Sequence, residues 1–480
     1  MKRGILYLCT ILGAALVASA SARPNFIFIL VDDMGYGDLS CYGNTAARTK
    51  NIDRLATEGI RFNQFYVSSP ICSPSRTGLT TGQYPARWRV TSYLAARQEN
   101  DRRGTVQWLD AKAPTLARLL QSAGYATGHF GKWHMGGQRD VGEAPLISEY
   151  GFDESLTQFE GLGDRILPLL DAYDGQEPKK YDLGSASLGR GNITWLDRSK
   201  VTGAFVSRTI EFVKKSESAG KPFFVNLWPD DVHSPFFPPK DLRTNNVKRD
   251  LYHAVLTAMD AQMAPLFDYV RSRPALRDNT LIMLAGDNGP EPGAGSAGPF
   301  RGSKGQLLEG GIRNAFIAWG PGLIPANRAG SVNEKTVISS VDIAPSLLKL
   351  AGVTPHADVP FDGVDLGQSL TGKAQEIRSK PLLWNRPPDR PGTKEDPWPD
   401  LAIRDGDWKL LIMEDGAGAR LFNVAIDPGE GSDLSAKNPE ITRRLSQEVL
   451  NWRKALPISK PLPVAPEPAA PKKRKKAKAP

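Results

Sequence analysis

Pro24-Asn25-Phe26-Ile27-Phe28-Ile29-Leu30-Val31-Asp32-Asp33-Met34-Gly35 decides the architecture of this chain. Phe26 to Val31 are apolar without a break. A strand wetted on one face alternates apolar and polar residues, so an unbroken run reads as a strand covered on both faces, the habit of parallel sheets flanked by helices. Two adjacent carboxylates stand where the buried strand stops. Carboxylates beside a core are costly unless something positive meets them, so a bound cation is one reading of the pair. A solvated turn or a helix N-cap is the other.

The same grammar recurs further along. Tyr125 to Phe130 reads as a strand ending in Gly131-Lys132-Trp133-His134. Phe223 to Trp228 leads into Pro229-Asp230-Asp231-Val232-His233-Ser234-Pro235, and Thr280 to Ala285 into Gly286-Asp287-Asn288-Gly289. Phe316 to Trp319 reads as a further strand, and helices are predicted over 51–58, 114–123, 201–215 and 252–270. The pattern is an α/β fold, a large mixed but mostly parallel sheet sandwiched between helices, with polar clusters at the strand carboxyl ends where such sheets bind ligands. The stretch 151–199, rich in Gly, Asp, Lys and Tyr, is predicted to form loops shaping a substrate mouth. Beyond Pro381, short strands around 401–404, 408–412 and 420–423, separated by Asp-Gly turns, precede a helix over 439–456, a small C-terminal antiparallel sheet plus helix.

Lys2 and Arg3, an apolar run over 5–17 and Ala18-Ser19-Ala20-Ser21-Ala22 predict a signal peptide at 1–22, its apolar core too short for a membrane span. The protein is therefore expected to be exported, periplasmic or secreted. The organisation read from the sequence is a signal at 1–22, a catalytic domain at 23–375, a C-terminal α+β subdomain at 376–457 and a Pro/Ala/Lys tail at 458–480. The net charge of +9 is misleading: Lys2 and Arg3 supply two positive charges and 472–478 six, leaving +1 for the rest. Basicity is thus a property of the tail and says little about the folded body's ligand; no nucleic-acid partner is expected. Arg87-Trp88-Arg89, Arg102, Arg103 and Trp108 offer rings and cations suited to ring faces and anionic groups, with a plain surface loop as the alternative.

Cys72-Ser73-Pro74-Ser75-Arg76-Thr77-Gly78-Leu79-Thr80-Thr81-Gly82 puts a cysteine just ahead of a proline at an expected first helical position. The positive end of that helix faces whatever Cys72 meets, and Arg76 lies one turn on. A lone cysteine is otherwise a small buried hydrophobe. A phosphatase-like thiolate would place its arginine six residues on, and a zinc site would need a second Cys or a His nearby. The stretch resembles the signature of the type I sulfatases, Cys-x-Pro-Ser-Arg-x-x-x-x-Thr-Gly, at every fixed position.

That resemblance implies an alkaline phosphatase-like fold and a sulfuric ester hydrolase whose Cys72 is oxidised to formylglycine by a formylglycine-generating enzyme. Cys41 is then left without a disulfide partner. It further implies that Asp32, Asp33, Asp287 and Asn288, with residue 72, hold Ca²⁺; an all-oxygen side-chain set suits Mg²⁺ less well. By the same resemblance Lys132 and Lys304 contact the sulfate, His134 contacts the formylglycine, Arg76 steadies the nucleophile and His233 stands beside the leaving oxygen. Val232 occupies the position where the family has Pro. Lys304 sits in Arg301-Gly302-Ser303-Lys304-Gly305, which runs into Glu309-Gly310-Gly311-Ile312-Arg313. The implied substrate is a sulfated carbohydrate or an aryl sulfate. The alternatives are a phosphodiesterase or phosphonate hydrolase of the same superfamily, and a non-catalytic sulfated-glycan binder if Cys72 stays a thiol. Asp230-Asp231 reads as a solvated or capping pair, and His129, His253 and His356 as structural or surface residues.

Overall fold

A computed structural model describes residues 23–355, 359–386 and 399–457; the expected signal at 1–22, the tail at 458–480 and His356 lie outside them. The strand Asn25–Val31 is buried along its whole length, as its composition predicts. Side chains alternate across a strand, so Phe26, Phe28 and Leu30 enter one core layer, with Leu116, Leu120 and Leu347. Ile27, Ile29 and Val31 enter the other, with Val206, Val213, Leu256 and Met263. Each such side chain stabilises the fold by about 1.5–3 kcal/mol on burial. Helices Val201–Ser218 and Lys248–Arg271 cover the second face; Leu116–Ser122 and Ile343–Leu350 cover the first. Their ends differ from the predicted ones by a few residues.

In the twelve-stranded sheet, Ala126–Gly131, Phe223–Trp228, Asn25–Val31 and Thr280–Gly286 lie side by side and parallel. Val31 is level with Gly286, and Gly131 with Trp228. The residues after these strands therefore emerge at one edge. Arg313–Trp319 runs antiparallel to Thr280–Gly286, and Ile60–Tyr66 antiparallel to that strand. Two reversals return Ile60–Tyr66 to the common direction, so it too delivers its following residues, up to Cys72, at the same edge. The expected loops at 151–199 are partly strands: Glu154–Thr157, Arg165–Leu170 and Ile193–Asp197 extend the sheet. Glu154–Thr157 and Ile193–Asp197 are short and partly exposed, and the apolar residues of Arg165–Leu170, buried over its first four positions, are interrupted by Pro168.

The C-terminal sheet is antiparallel and four-stranded, Leu382–Asn385, Leu401–Asp405, Trp408–Ile412 and Arg420–Asn423. Leu445 and Val449 of helix Pro439–Ala455 pack into its core. A buried charge cluster joins this sheet to the larger one. Lys409 Nζ lies 2.9 Å from both Glu309 Oε1 and Glu430 Oε1, with all three side chains fully buried. Glu430 Oε2 accepts from the Glu309 backbone N–H at 2.6 Å, and Tyr66 Oη donates to Glu309 Oε2 at 2.6 Å.

Candidate active site

Helix Cys72–Thr81 begins at Cys72 itself, with Pro74 as its third residue and not its first. Its N-cap is Ile71, whose side chain caps nothing. The first turn thus directs its N–H groups into the sheet edge, a setting that favours negative charge. Gly82, at φ 66°, ends the helix with its N–H on the Gly78 carbonyl. All ten residues are buried. At Gly78 a Cβ would fall 2.0 Å from Ser68 Oγ, so the helix packs against the segment that delivers it only because that position has no side chain.

The ligand atoms of Asp32, Asp33 and Cys72 all lie within 4.8 Å of one another. Arg76 reaches past the cysteine: its Nη2 donates to Asp32 Oδ1 at 3.1 Å and to Asp287 Oδ2 at 2.8 Å. Lys132 Nζ donates to Asp32 Oδ2 at 2.5 Å, and Lys304 Nζ to Asp33 Oδ2 at 2.6 Å. Asn288 Nδ2 donates to Asp33 Oδ1 at 2.8 Å, and the Asp33 N–H to Asp287 Oδ1 at 3.0 Å. His233 Nε2 stands 3.7 Å from Asp33 Oδ2 with its side chain 27% exposed, on the solvent side of an otherwise closed cluster. Its Nδ1 faces the Ser234 carbonyl at 2.7 Å; a carbonyl only accepts, so Nδ1 carries the proton and Nε2 is the exchangeable site. Nine of the predicted site residues thus meet directly.

His134 joins through a residue that the sequence did not mark. Glu160, 4% exposed, places Oε2 3.0 Å from Lys132 Nζ and 3.1 Å from His134 Nδ1. The Leu94 carbonyl takes the other ring nitrogen, Nε2, at 2.9 Å. Nothing in Phe159-Glu160-Gly161 distinguishes this glutamate from any loop residue; only the fold brings it beside Lys132. Asp33 and His134 both have left-handed backbones, φ 59° and 56°. Such conformations in non-glycine residues persist where surrounding structure over-determines them, often at functional sites. Gly131, at φ 122°, makes the turn into Lys132, and a Cβ there would sit 2.1 Å from the Trp228 carbonyl oxygen.

Asp230-Asp231, expected to be solvated or capping, is instead buried. Asp230 pairs with Arg198 at 2.7 Å and accepts from Gln158 Nε2 at 3.0 Å, while Asp231 accepts from Thr202. The Arg198 pair holds the backbone that carries His233. His129 is buried among Trp133, Phe152 and Trp228, which is the structural role expected of it.

Burial pushes the Asp32 carboxyl up, but Lys132, His233 and Arg76 overcome it and hold it well below the usual range. Asp33 is held down against the same burial by Lys304 and His233. Asp287 goes the other way, pushed well up by burial and by Asp32 opposite, with Arg76 only partly opposing. Burial also pushes the Cys72 thiol far up, Lys304 and Lys132 notwithstanding. As a thiol, Cys72 is therefore un-ionised and a poor nucleophile.

Four carboxylates, Asp32, Asp33, Asp287 and Glu160, face three fixed cations, Arg76, Lys132 and Lys304. The balance is met by the Asp287 carboxyl, which is pushed up and so protonated, and which would ionise beside a further positive charge. Asn288 Oδ1 is buried and has no hydrogen-bond partner. Hard oxygen donors, an unused carbonyl oxygen and a buried carboxyl left protonated for want of a positive partner together fit a hard dication.

A buried cysteine at a helix N-terminus, a cation-ready carboxylate cluster and two lysines at the carboxyl edge of an α/β sandwich define a hydrolase of anionic esters. The family model described as Sulfatase matches residues 24–353. The chain is 31% identical to N-acetylgalactosamine-6-sulfatase of Canis lupus familiaris over 394 residues, 79% of this chain and 72% of the relative. It is 32% identical to arylsulfatase G of Rattus norvegicus over 380 residues, 74% of this chain and 70% of that protein. Among solved structures, Ps i-CgsB in complex with k-i-k-neocarrahexaose superposes with a TM-score of 0.73 at 26% identity, covering 90% of this chain and 92% of that one. The phosphonate monoester hydrolase of Agrobacterium radiobacter shares the fold, with a TM-score of 0.61 at 17% identity over 90% of this chain and 96% of that one. The chain belongs to the sulfatase family and is a sulfuric ester hydrolase. Among the described residues no helix is long and apolar enough to cross a membrane.

Proposed function

We propose that this sulfatase releases inorganic sulfate from a sulfated carbohydrate after export through the signal at 1–22, using a formylglycine made from Cys72 by a formylglycine-generating enzyme. The catalytic domain is taken as 23–375 and the C-terminal subdomain as 376–457. The observation that bears most weight is the setting of Cys72: buried, un-ionised as a thiol, at an open helix N-terminus and beside Asp32 and Asp33. A thiol so placed lacks the thiolate that sulfur chemistry needs. Converted to formylglycine, residue 72 supplies an oxygen nucleophile as its hydrate, with a second hydroxyl through which sulfate can leave. A Ca²⁺ ion would be held by Asp32, Asp33, Asp287, Asn288 and residue 72, and supplies Lewis acidity toward the nucleophile and the sulfate oxygens.

The remaining work falls to the chain's own side chains. Lys132 and Lys304 bring two ammonium groups to the sulfate, fixed by Asp32 and Asp33. Arg76, its guanidinium occupied by Asp32 and Asp287, holds the ligand carboxylates in place beside residue 72. His233, with Nδ1–H fixed on Ser234, presents Nε2 from the solvent side to donate a proton to the leaving alcohol. His134, pushed down to about 3 chiefly by burial and so neutral, keeps its N–H on the Leu94 carbonyl and turns a bare Nδ1 toward Glu160, and its proposed role is to contact the formylglycine at residue 72.

The carbohydrate reading rests on the relatives: one is named N-acetylgalactosamine-6-sulfatase, and the structural neighbour was solved with k-i-k-neocarrahexaose. A phosphonate or phosphate ester hydrolase is the second reading, since the fold accommodates one. Peptide mass spectrometry at position 72, combined with rates on 4-nitrophenyl sulfate and on the matching phosphate and phosphonate esters, tests both. Formylglycine at 72 with sulfate the preferred leaving group is expected. Full turnover by protein in which residue 72 keeps its sulfur would overturn the mechanism, and faster phosphate or phosphonate hydrolysis would favour the second reading.

A further inference from the structure

After His134 the chain turns back toward Glu160 and reaches an arginine with nothing to pair with. Gln138 forms an antiparallel bridge with Glu160, the residue that meets both Lys132 and His134. Arg139 therefore starts one residue from the wall of the catalytic cluster. Its backbone is left-handed, φ 54°, a conformation unfavourable to a residue with a side chain. The side chain is half-buried and its Nε, shielded from solvent, has no hydrogen-bond partner; among the described residues no carboxylate stands within ion-pair distance of the guanidinium. A shielded donor left unpaired is costly. The neighbouring cations avoid that cost: Arg76, Lys132 and Lys304 are held by Asp32 and Asp33, and Arg198 by Asp230.

The segment 181–189 walls the same space. The Tyr181 N–H is fixed on the Pro168 carbonyl at 3.0 Å, and the buried Arg165 holds the far end of the segment through the Ser185 and Gly189 carbonyls at 3.4 and 2.8 Å. Gly184 lies so close that a Cβ there would meet the Arg139 carbonyl oxygen at 2.8 Å. The Tyr181 ring stands edge-on to Phe159, the residue before Glu160, with centroids 5.4 Å apart. Tyr181 is half-buried, and among the described residues its hydroxyl has no hydrogen-bond partner. Burial and the Glu160 charge push its phenol up, while Arg139 and Arg198 oppose them. Tyr181 thus lies in the field of Glu160 on one side and of the Arg198–Asp230 pair on the other, and Arg198 Nη2 is 3.5 Å from the His233 carbonyl. With His233 beside the leaving oxygen, the sugar that carries the ester extends past these side chains.

The charges here leave room for an anion. Of the four that act most on Tyr181, Glu160 is met by Lys132 and Asp230 by Arg198, which leaves Arg139 unanswered. Two further carboxylates lie near it along the chain or across the loop, and both are bound to backbone. Asp140 accepts from the Arg97 N–H at 2.8 Å, and Asp182 from the Gly184 and Ala186 N–H groups at 3.3 and 3.0 Å. A free guanidinium takes a carboxylate or a sulfate through two parallel hydrogen bonds, and a tyrosine hydroxyl beside it can meet a sugar hydroxyl. We infer that Arg139 and Tyr181 form a subsite beside the scissile ester that binds a second anionic group of the substrate, a sulfate or a carboxylate on the sugar being desulfated or on its neighbour. The inference rests on the sulfatase reading for the reaction, and on Arg139 for the second charge.

The test compares the active wild type with Arg139→Gln, Arg139→Lys and Tyr181→Phe on two pairs of esters, alongside 4-nitrophenyl sulfate, which has no second anion. One pair is N-acetylgalactosamine 6-sulfate and the 4,6-disulfate; the other is the chondroitin 6-sulfate disaccharide and its carboxyl-reduced form. The wild type is expected to prefer the doubly charged member of at least one pair by about tenfold in kcat/KM. A preference in the first pair assigns a sulfate to the subsite, and in the second a carboxylate. Arg139→Gln should erase that preference, Arg139→Lys should retain part of it and so exclude a folding defect, and Tyr181→Phe should lower kcat/KM for both members of the pair. A wild type indifferent to the second anion, a preference that survives Arg139→Gln, or Tyr181→Phe kinetics identical to wild type overturns the inference. If no sulfate ester turns over, 4-nitrophenyl sulfate included, the sulfatase reading fails, and calorimetric titration of the same pairs still decides the subsite: equal binding of both members, or binding unaltered in Arg139→Gln, overturns it.

Discussion

Replacing Lys409 by Met removes the ammonium that pairs with both Glu309 and Glu430 in the joint between the two sheets, leaving Glu309 to Arg313 at 3.3 Å. At 2.9 Å from each carboxylate, and with an effective dielectric constant of about 20, each attraction amounts to about 6 kcal/mol. The ammonium loses much of this to desolvation, so the expected net cost of leaving Glu430 without its cation and Glu309 with Arg313 alone is about 3–5 kcal/mol. The effect should depend on pH with a definite sign. In the wild type, burial pushes Glu309 up, but Lys409 and Arg313 hold it down to about 2, below its ordinary value of 4.5. It therefore contributes stability above pH 4.5 that fades as pH falls toward 2. In Lys409→Met, Glu430, which burial already holds above its ordinary value, rises further and Glu309 rises from its lowered value, so stability gained by the protonated carboxyls at low pH is lost as pH rises. The deficit should thus be small near pH 4.5 and largest above neutrality.

Activity should suffer as well. The Glu309 backbone N–H is held by Glu430, and the Arg301 side chain donates to the Glu430 carbonyl, so this cluster pins both ends of the loop that carries Lys304. Urea denaturation from pH 4.5 to 8.5, with kcat and KM on 4-nitrophenyl sulfate, is the assay. A triple variant adding Glu309→Gln and Glu430→Gln should recover most of the stability. A Lys409→Met protein within about 0.5 kcal/mol of wild type at pH 8, a change typical of a neutral surface position, would refute the reasoning.

Glu160→Gln keeps the shape but removes the charge facing Lys132 and His134, and should lower kcat by about tenfold or more with little effect on KM; an unchanged pH–rate profile would contradict its positioning role. Arg198→Met strands Asp230 in a buried site, costing about 3 kcal/mol, and by loosening the His233 segment should slow substrates with poor leaving groups more than 4-nitrophenyl sulfate. Dialysis against a chelator should abolish turnover and lower the melting temperature, with recovery greater in Ca²⁺ than in Mg²⁺; a melting curve indifferent to chelator and to added Ca²⁺ would argue against the cation site.

The central strands were legible because a strand buried on both faces has almost no compositional freedom, as Phe26 to Val31 show. The polar residues after those strands were legible for the complementary reason: Asp32, Asp33, Lys132, Asp287 and Asn288 stand where a core ends, and charge placed there needs a partner. Tertiary structure alone decided who those partners are. Arg76 could have been an anion-binding group, yet it is consumed by Asp32 and Asp287. Glu160, the Arg198–Asp230 pair and the Glu309–Lys409–Glu430 cluster each join residues tens to more than a hundred positions apart. A local sequence pattern reports what a segment must bury. It holds no record of which distant charge will be buried beside it, because that distance is fixed only when the strands take their order in the sheet.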